Sequence, residues 1–191
     1  MLMNASQVPG IDARLEELLA KTGARDRVNI EKHLAVCDGE ADAGHGKLWR
    51  RLVVKLGELA PKAISTVGLQ VVRFFIADGK YRMQVFALED NRDGSLAVYL
   101  PNVLAKAVSA KLLVKNGGQY SPASSPKHVL AIEQMDANNP SNPPEFVKHM
   151  TGWNRKAVKL TLQANEPDSL QVSMIESLCE LAARQWEGTP Q

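Results

Sequence analysis

A chain of 191 residues predicts one domain, or a domain with a sizeable extension, able to bury about 70% of its unfolded surface without staples. Hydrophobic residues make up 45% and charged residues 23%, an ordinary globular mix that excludes a disordered or fibrous chain. The net charge of +2 is uneven: residues 44–132 hold thirteen basic and five acidic side chains, while residues 1–43 and 133–191 each hold five and eight. The middle third can present a positive surface, or it can pair with the acidic ends.

The two cysteines, Cys37 and Cys179, are too few and too far apart for a disulfide framework. "MLMNASQVPG" has no basic stretch followed by a long apolar one, and no apolar run approaches the ~20 residues of a membrane span. The expected address is the cytoplasm, where the Asn4-Ala5-Ser6 sequon has no role.

In chain order, Asp12–Lys21 predicts a short amphipathic helix with leucines at 15, 18 and 19 and a Gly23 stop. Val28–Val36 predicts a second helix on Ile30 and Leu34. A third runs from about His45 to Ala60 and ends at Pro61. "LQVVRFFIADGKYRMQVFAL" reads as two strands around an Asp78-Gly79 turn. A two-residue loop there sets Ala77 opposite Lys80, Ile76 opposite Tyr81, Phe74 opposite Met83 and Val72 opposite Val85. The reverse face, with Arg73, Phe75 and Arg82, is mixed. A third strand covers Ser95–Leu100.

Pro101-Asn102 opens a predicted helix through about Val114, ended by Asn116-Gly117-Gly118, and "QYSPASSP" reads as a loop. His128–Met135 predicts a strand, placed at a sheet edge by the polar loops on either side. A helical turn near Glu145–Met150 precedes a strand at Ala157–Gln163. Asp168 and Gln171 form a capping box for the last helix. The resulting fold class is α+β: an antiparallel sheet of about five strands packed by helices in two layers, with residues 1–60 as an N-terminal helical extension and 61–191 as the α+β domain.

Chemistry concentrates in "CDGEADAGHGK", Cys37–Lys47. A phosphate loop fails because Ala41 stands where its first glycine belongs and Leu48 where its hydroxyl belongs. A calcium loop matches at Asp38, Glu40 and Asp42, but Ala43 replaces its glycine and Trp49 its bidentate acid. A transition-metal set survives. His33 and Cys37 are one helical turn apart, and His45 or Asp42 could close it. The preferred reading of the stretch is a polar hinge between helices, and the metal set is its alternative. The sequence shows no nucleophile elbow, no S-x-x-K and no dinucleotide fingerprint, so no cofactor is expected. An enzyme would need dispersed residues, such as His128, Glu133, Asp136 and His149, to assemble in three dimensions.

Lys47, Arg50, Arg51 and Lys55 share one side of the third helix. With Arg73, Phe75 and Arg82 they form a candidate nucleic-acid surface, although no nucleic-acid motif is present. Trp153, beside Arg155 and Lys156, is a candidate interface anchor. The order helix, three strands, helix, two strands, helix from about Leu48 onward resembles type III secretion chaperones and related chaperone-like bacterial proteins, without a shared motif. That resemblance implies a homodimer holding an extended segment of a partner. The first functional reading is therefore a non-enzymatic protein-binding or adaptor module. Nucleic-acid binding and an enzyme with a dispersed site are the alternatives, and no membrane partner is expected.

Overall fold

The computed structural model describes residues 10–39, 43–78, 80–136, 144–148, 150 and 156–187. Three helices lead: α1 (Ile11–Ala20), α2 (Ala24–Gly39) and α3 (Ala43–Leu59). Strands β1 (Ala63–Val67), β2 (Val71–Asp78), β3 (Tyr81–Asp90) and β4 (Ser95–Pro101) follow, then α4 (Leu104–Ser109) and a hairpin of β5 (Leu113–Asn116) and β6 (Gln119–Pro122). The chain continues through β7 (Ile132–Asp136), α5 (Glu145–Lys148), β8 (Lys156–Gln163) and α6 (Ser169–Glu187).

The fold is α+β with an N-terminal helical region, and its main sheet has six antiparallel strands in the order β1-β2-β3-β4-β8-β7. β7 is indeed an edge. Alternation along β8 drives its placement: Val158, Leu160 and Leu162 are fully buried on the core face. Helices α3 and α6 pack on that face, and Leu15, Leu19 and Ile30 from α1 and α2 join the same core as Phe74, Leu88, Val98 and Ile175. Gly57 permits the close α1–α3 approach, since a Cβ there would stand 2.8 Å from Leu18 Cδ1. The opposite sheet face is covered at its centre by α5, with Phe146 edge-on to Tyr99 at 5.3 Å. Among the described residues no helix is long and apolar enough to cross a membrane.

Three expectations are corrected. First, Asp78 pairs with Tyr81 and Ala77 with Arg82, two residues away from the expected register. The register then shifts between Phe74 and Phe75, because Gln84 pairs with Phe75 but Phe86 with Phe74. Val85 is the extra residue of this bulge, and Val85 and Phe86 are both fully buried in the core. Second, the helix after Pro101 ends at Ser109, and the segment expected as its last turn is strand β5, paired with "QYSP". Gly117 and Gly118 have φ of 57° and 82°, the pair of positive values that a tight hairpin turn requires. Third, Ala63–Val67 adds a strand that sequence periodicity missed.

Asp168 caps α6 as expected, its Oδ1 accepting the N–H groups of Leu170 (3.0 Å) and Gln171 (3.2 Å). Gln171 does not close the box. Its amide is bonded to both the N–H and the carbonyl of Ala131, tying the entry of β7 to α6. Burial would raise the Asp168 carboxyl, but the contact with His128 and these N–H groups hold it below the ordinary range. With the folded pKa depressed, the contribution is present above the unfolded pKa and is lost as pH falls through the folded one. Asp168→Ala should lower unfolding stability by about 1 kcal/mol at neutral pH. In urea titrations the deficit should shrink as pH drops through the carboxylate range; a deficit that persists at low pH would contradict this assignment.

Candidate metal centre

The site forms where α2, the start of α3 and the end of β3 meet. Helix α2 turns a polar stripe toward the sheet. Asp26 Oδ1 accepts the N–H (2.9 Å) and the hydroxyl (2.8 Å) of Thr66, and Asn29 Nδ2 donates to Thr66 Oγ1 at 2.9 Å. One and two turns further on, the stripe becomes His33 and Cys37, which are buried together with Ile30. Trp49 of α3 packs against the His33 ring, with centroids 4.9 Å apart. The first turn of α3 lies close against α2: a Cβ at Gly46 would stand in ordinary contact, 3.4 Å, with Cys37 Cβ and 3.0 Å from the movable Arg50 guanidinium.

Asp90, the last residue of β3, receives both imidazoles. Its Oδ2 stands 3.1 Å from His33 Nε2 and 2.8 Å from His45 Nε2. Cys37 Sγ lies 3.4 Å from the same His33 Nε2. One donor atom each from His33, Cys37 and Asp90 therefore falls within 4.8 Å of the others. Burial works to raise the Asp90 carboxyl. The hydrogen bonds from His33, the Arg92 backbone N–H (3.0 Å to Oδ1) and His45 outweigh it and keep Asp90 ionised well below the usual carboxylate range.

These groups form the floor of a cavity of about 580 Å³, and Leu69 and Gln70 of the β1–β2 turn, Arg92 of the β3–β4 turn and Asn165 help wall it. Arg92 holds φ at 60°, a left-handed conformation that costs a non-glycine residue of order 1 kcal/mol or more.

The donor spacing fits a metal better than a proton relay. In a tetrahedral zinc site, with bonds of about 2.0–2.1 Å to nitrogen or oxygen and about 2.3 Å to sulfur, neighbouring donors stand about 3.3–3.6 Å apart, close to the two spacings of 3.1 and 3.4 Å at His33 Nε2, while the third lies within 4.8 Å. A cysteine–histidine–acid relay needs the thiol on one ring nitrogen and the acid on the other. Here Cys37 and Asp90 both meet Nε2 of His33, so the three donors converge instead of forming a chain. The sulfur, nitrogen and oxygen set suits zinc or a similar transition ion and not magnesium or calcium.

The sequence singled out His33, Cys37 and His45, and all three lie here, with His33 and Cys37 on α2 and His45 on α3. His45 contacts the Asp90 carboxylate, which fixes its orientation. Asp90 was missed. Asp42 lies outside the described residues. In the stretch expected as a hinge, α2 runs to Gly39 and α3 begins at Ala43, with Gly44 and Gly46 inside it, and residues 40–42 between the two helices lie outside the described residues.

The basic candidates are dispersed. Arg50 forms a bidentate pair with Asp38 (2.9 and 2.8 Å), Arg51 meets Glu176 at 2.6 Å, and Lys55 meets Glu180 at 2.5 Å, whereas Lys47 is exposed. Arg73 and Arg82 flank the buried Phe75 ring, their guanidinium carbons 5.7 and 4.8 Å from its centroid. Arg73 also donates to Ser65 Oγ at 2.8 Å. Trp153 and His149 lie outside the described residues. His128 contacts Asp168, and Glu133 faces Lys159 across the β7–β8 pair, both away from the cavity floor. Cys179 sits fully buried in the core, where burial pushes its thiol up, so it is not a reactive counterpart to Cys37.

Comparison of the chain with protein-family models, curated proteins and solved structures found no match. The fold class and the site therefore stand on the geometry alone.

Asp90→Ala would leave two buried imidazoles facing an apolar methyl and should destabilise the protein by about 3 kcal/mol. Arg92→Gly keeps the backbone N–H that Asp90 accepts and removes the left-handed strain, so it should raise stability by about 0.5–1 kcal/mol. Chemical denaturation of both variants checks the pair. Opposite signs are expected, and a neutral Asp90→Ala would show that the buried network contributes nothing.

Proposed function

We propose that this is a metal-binding protein carrying one zinc-type ion on His33, Cys37 and Asp90. The observation that carries the reading is the shared atom: thiol sulfur and carboxylate oxygen both lie within 3.4 Å of His33 Nε2. A cation placed among the three donors would accept from all of them at once.

His45 holds Asp90 from another direction, as partners of metal-ligating groups do. Three protein donors beside a cavity leave a fourth position for an exchangeable molecule. That is the feature separating zinc centres that act on a ligand from closed structural ones. The basic surface supports nucleic-acid binding less well, since three of its four α3 cations are spent on carboxylates.

Untagged protein freed of metal and dialysed against zinc should retain about one ion per chain by elemental analysis. Cobalt loading should give the ultraviolet charge-transfer band of a thiolate ligand, absent in Cys37→Ser. Zinc at a hundred times its dissociation constant should stabilise the fold by about 2.7 kcal/mol. Protein that retains no metal above the level of Asp90→Ala would end the proposal.

A further inference from the structure

Cations without an acidic partner lie around the β5–β6 hairpin, away from the paired cations of α3. We infer that this hairpin is a ribbon that enters the major groove of double-stranded DNA, with Lys106, Lys111 and Lys115 on the phosphates and Asn116 and Gln119 at the base edges. The inference goes beyond the metal reading and does not depend on it.

Charge is the first observation. Residues 94–132 hold four lysines and no aspartate or glutamate. None of the four forms an ion pair among the described residues, although Lys21, Lys55 and Lys148 do. Acids from later segments are engaged elsewhere: Asp168 meets His128, and Glu133 faces Lys159 across the β7–β8 pair. Lys106, Lys111 and Lys115 are all exposed and fall within ten residues, on α4, the turn after it and β5.

Shape is the second. β5 and β6 form a two-stranded sheet of their own, outside the six-stranded one. The base of the hairpin is anchored. Leu113 and Tyr120 are buried, the Ala123 N–H donates to the Leu112 carbonyl at 2.9 Å, and the Leu130 N–H donates to the Tyr120 carbonyl at 2.9 Å. The tip stands clear: Asn116, Gly117, Gly118 and Gln119 are exposed, and a Cβ built on either glycine would meet nothing within 4 Å. Two strands of four residues each extend about 13 Å at ~3.3 Å per residue, and the major groove is ~12 Å wide and ~8.5 Å deep.

The class of partner follows from which side chains are present. Lysine is depleted at protein–protein interfaces and common on phosphates, so an acidic protein fits less well than a nucleic acid. A peripheral membrane contact inserts large apolar side chains, and none of the exposed large hydrophobic residues lies on α4 or the hairpin. Single strands are held by stacking on open aromatic rings; Tyr120 is buried, with Lys115 Nζ 5.8 Å from its ring centroid. Duplex RNA has a major groove too deep and narrow to be read, which leaves duplex DNA. The uncharged tip suits that groove, since asparagine and glutamine amides pair with adenine edges there.

Fluorescence anisotropy of a labelled DNA duplex, titrated with the full-length protein at about 50 mM salt, tests the inference. Binding should saturate, and log affinity should fall against log salt with a slope of about −3, one lysine–phosphate contact for each unit. Lys111 holds φ at 58°, so Lys111→Gly removes a charge without straining the turn and should reduce the slope by about 1. Lys111→Gly combined with Lys106→Gln and Lys115→Gln should weaken binding at least about tenfold. Asn116→Ala with Gln119→Ala should weaken binding and leave the slope unchanged. Unfolding midpoints within experimental error of wild type show that each variant is folded, as expected for exposed positions. Undiminished affinity in the triple lysine variant would overturn the site. Equal or tighter binding of duplex RNA or single-stranded DNA of the same length would overturn the groove assignment. Binding to phosphatidylserine vesicles without DNA binding would replace the partner with a membrane surface, and no binding at this salt would end the inference while leaving the metal centre standing.

Discussion

Asp90 is the point on which the arrangement of helices and sheet turns. A carboxylate removed from water is expensive unless hydrogen bonds replace its hydration. Here one imidazole from α2, one from α3 and the Arg92 backbone N–H supply them. Two helices distant from β3 in sequence thus converge on one acid, beside its own following turn. The angle between α2 and α3 follows from this, because both histidines must reach the same oxygen. The Arg50–Asp38 pair closes the outer side of the same junction.

The distribution of charge follows the same economy of space. The basic residues of the middle third do not gather into one open surface. Arg50 faces α2, while Arg51 and Lys55 face Glu176 and Glu180 of α6, so α3 is bridged to its neighbours on both sides. Such partly exposed pairs contribute little stability individually. Their larger effect is to place three of the cations of the middle third against acids of α2 and α6 rather than on an open surface.

Local patterns were legible in the sequence and long-range ones were not. The alternation in β8, the stripes of α1, α3 and α6 and the Asp168 cap all depend on residues within a turn or two of each other. The one-turn spacing of His33 and Cys37 is equally local, and a helix fixes it whatever the rest of the chain does. Asp90 was hidden by a single extra residue. The bulge at Val85 reverses the parity of β3, so that Phe86, Leu88 and then Asp90 point to the core side. Without the bulge, Asp90 reads as one more polar residue of a turn. With it, an acid stands in line with buried apolar neighbours, which is the signal that would have revealed it. The Gly117-Gly118 turn misled for a related reason: glycine pairs end helices and also turn hairpins, and only the partner strand decides between the two.

The donor set itself argues for its occupant. A thiol, an imidazole and an ionised carboxylate lie within 4.8 Å of one another at the floor of the cavity, and gathering three such polar groups costs part of their hydration. Apolar residues of similar size would pack there at lower cost, as they do around Cys179 at the centre of the core. The polar set is held on two helices and a strand rather than on loops, which keeps the donors in place before any ligand arrives. A divalent cation reverses the sign of every repulsion in the group and draws the thiol toward its anionic form. In the proposed metal-bound form the cost of gathering these residues would be offset by metal affinity, and the left-handed turn at Arg92 would help by holding the acid through its backbone N–H.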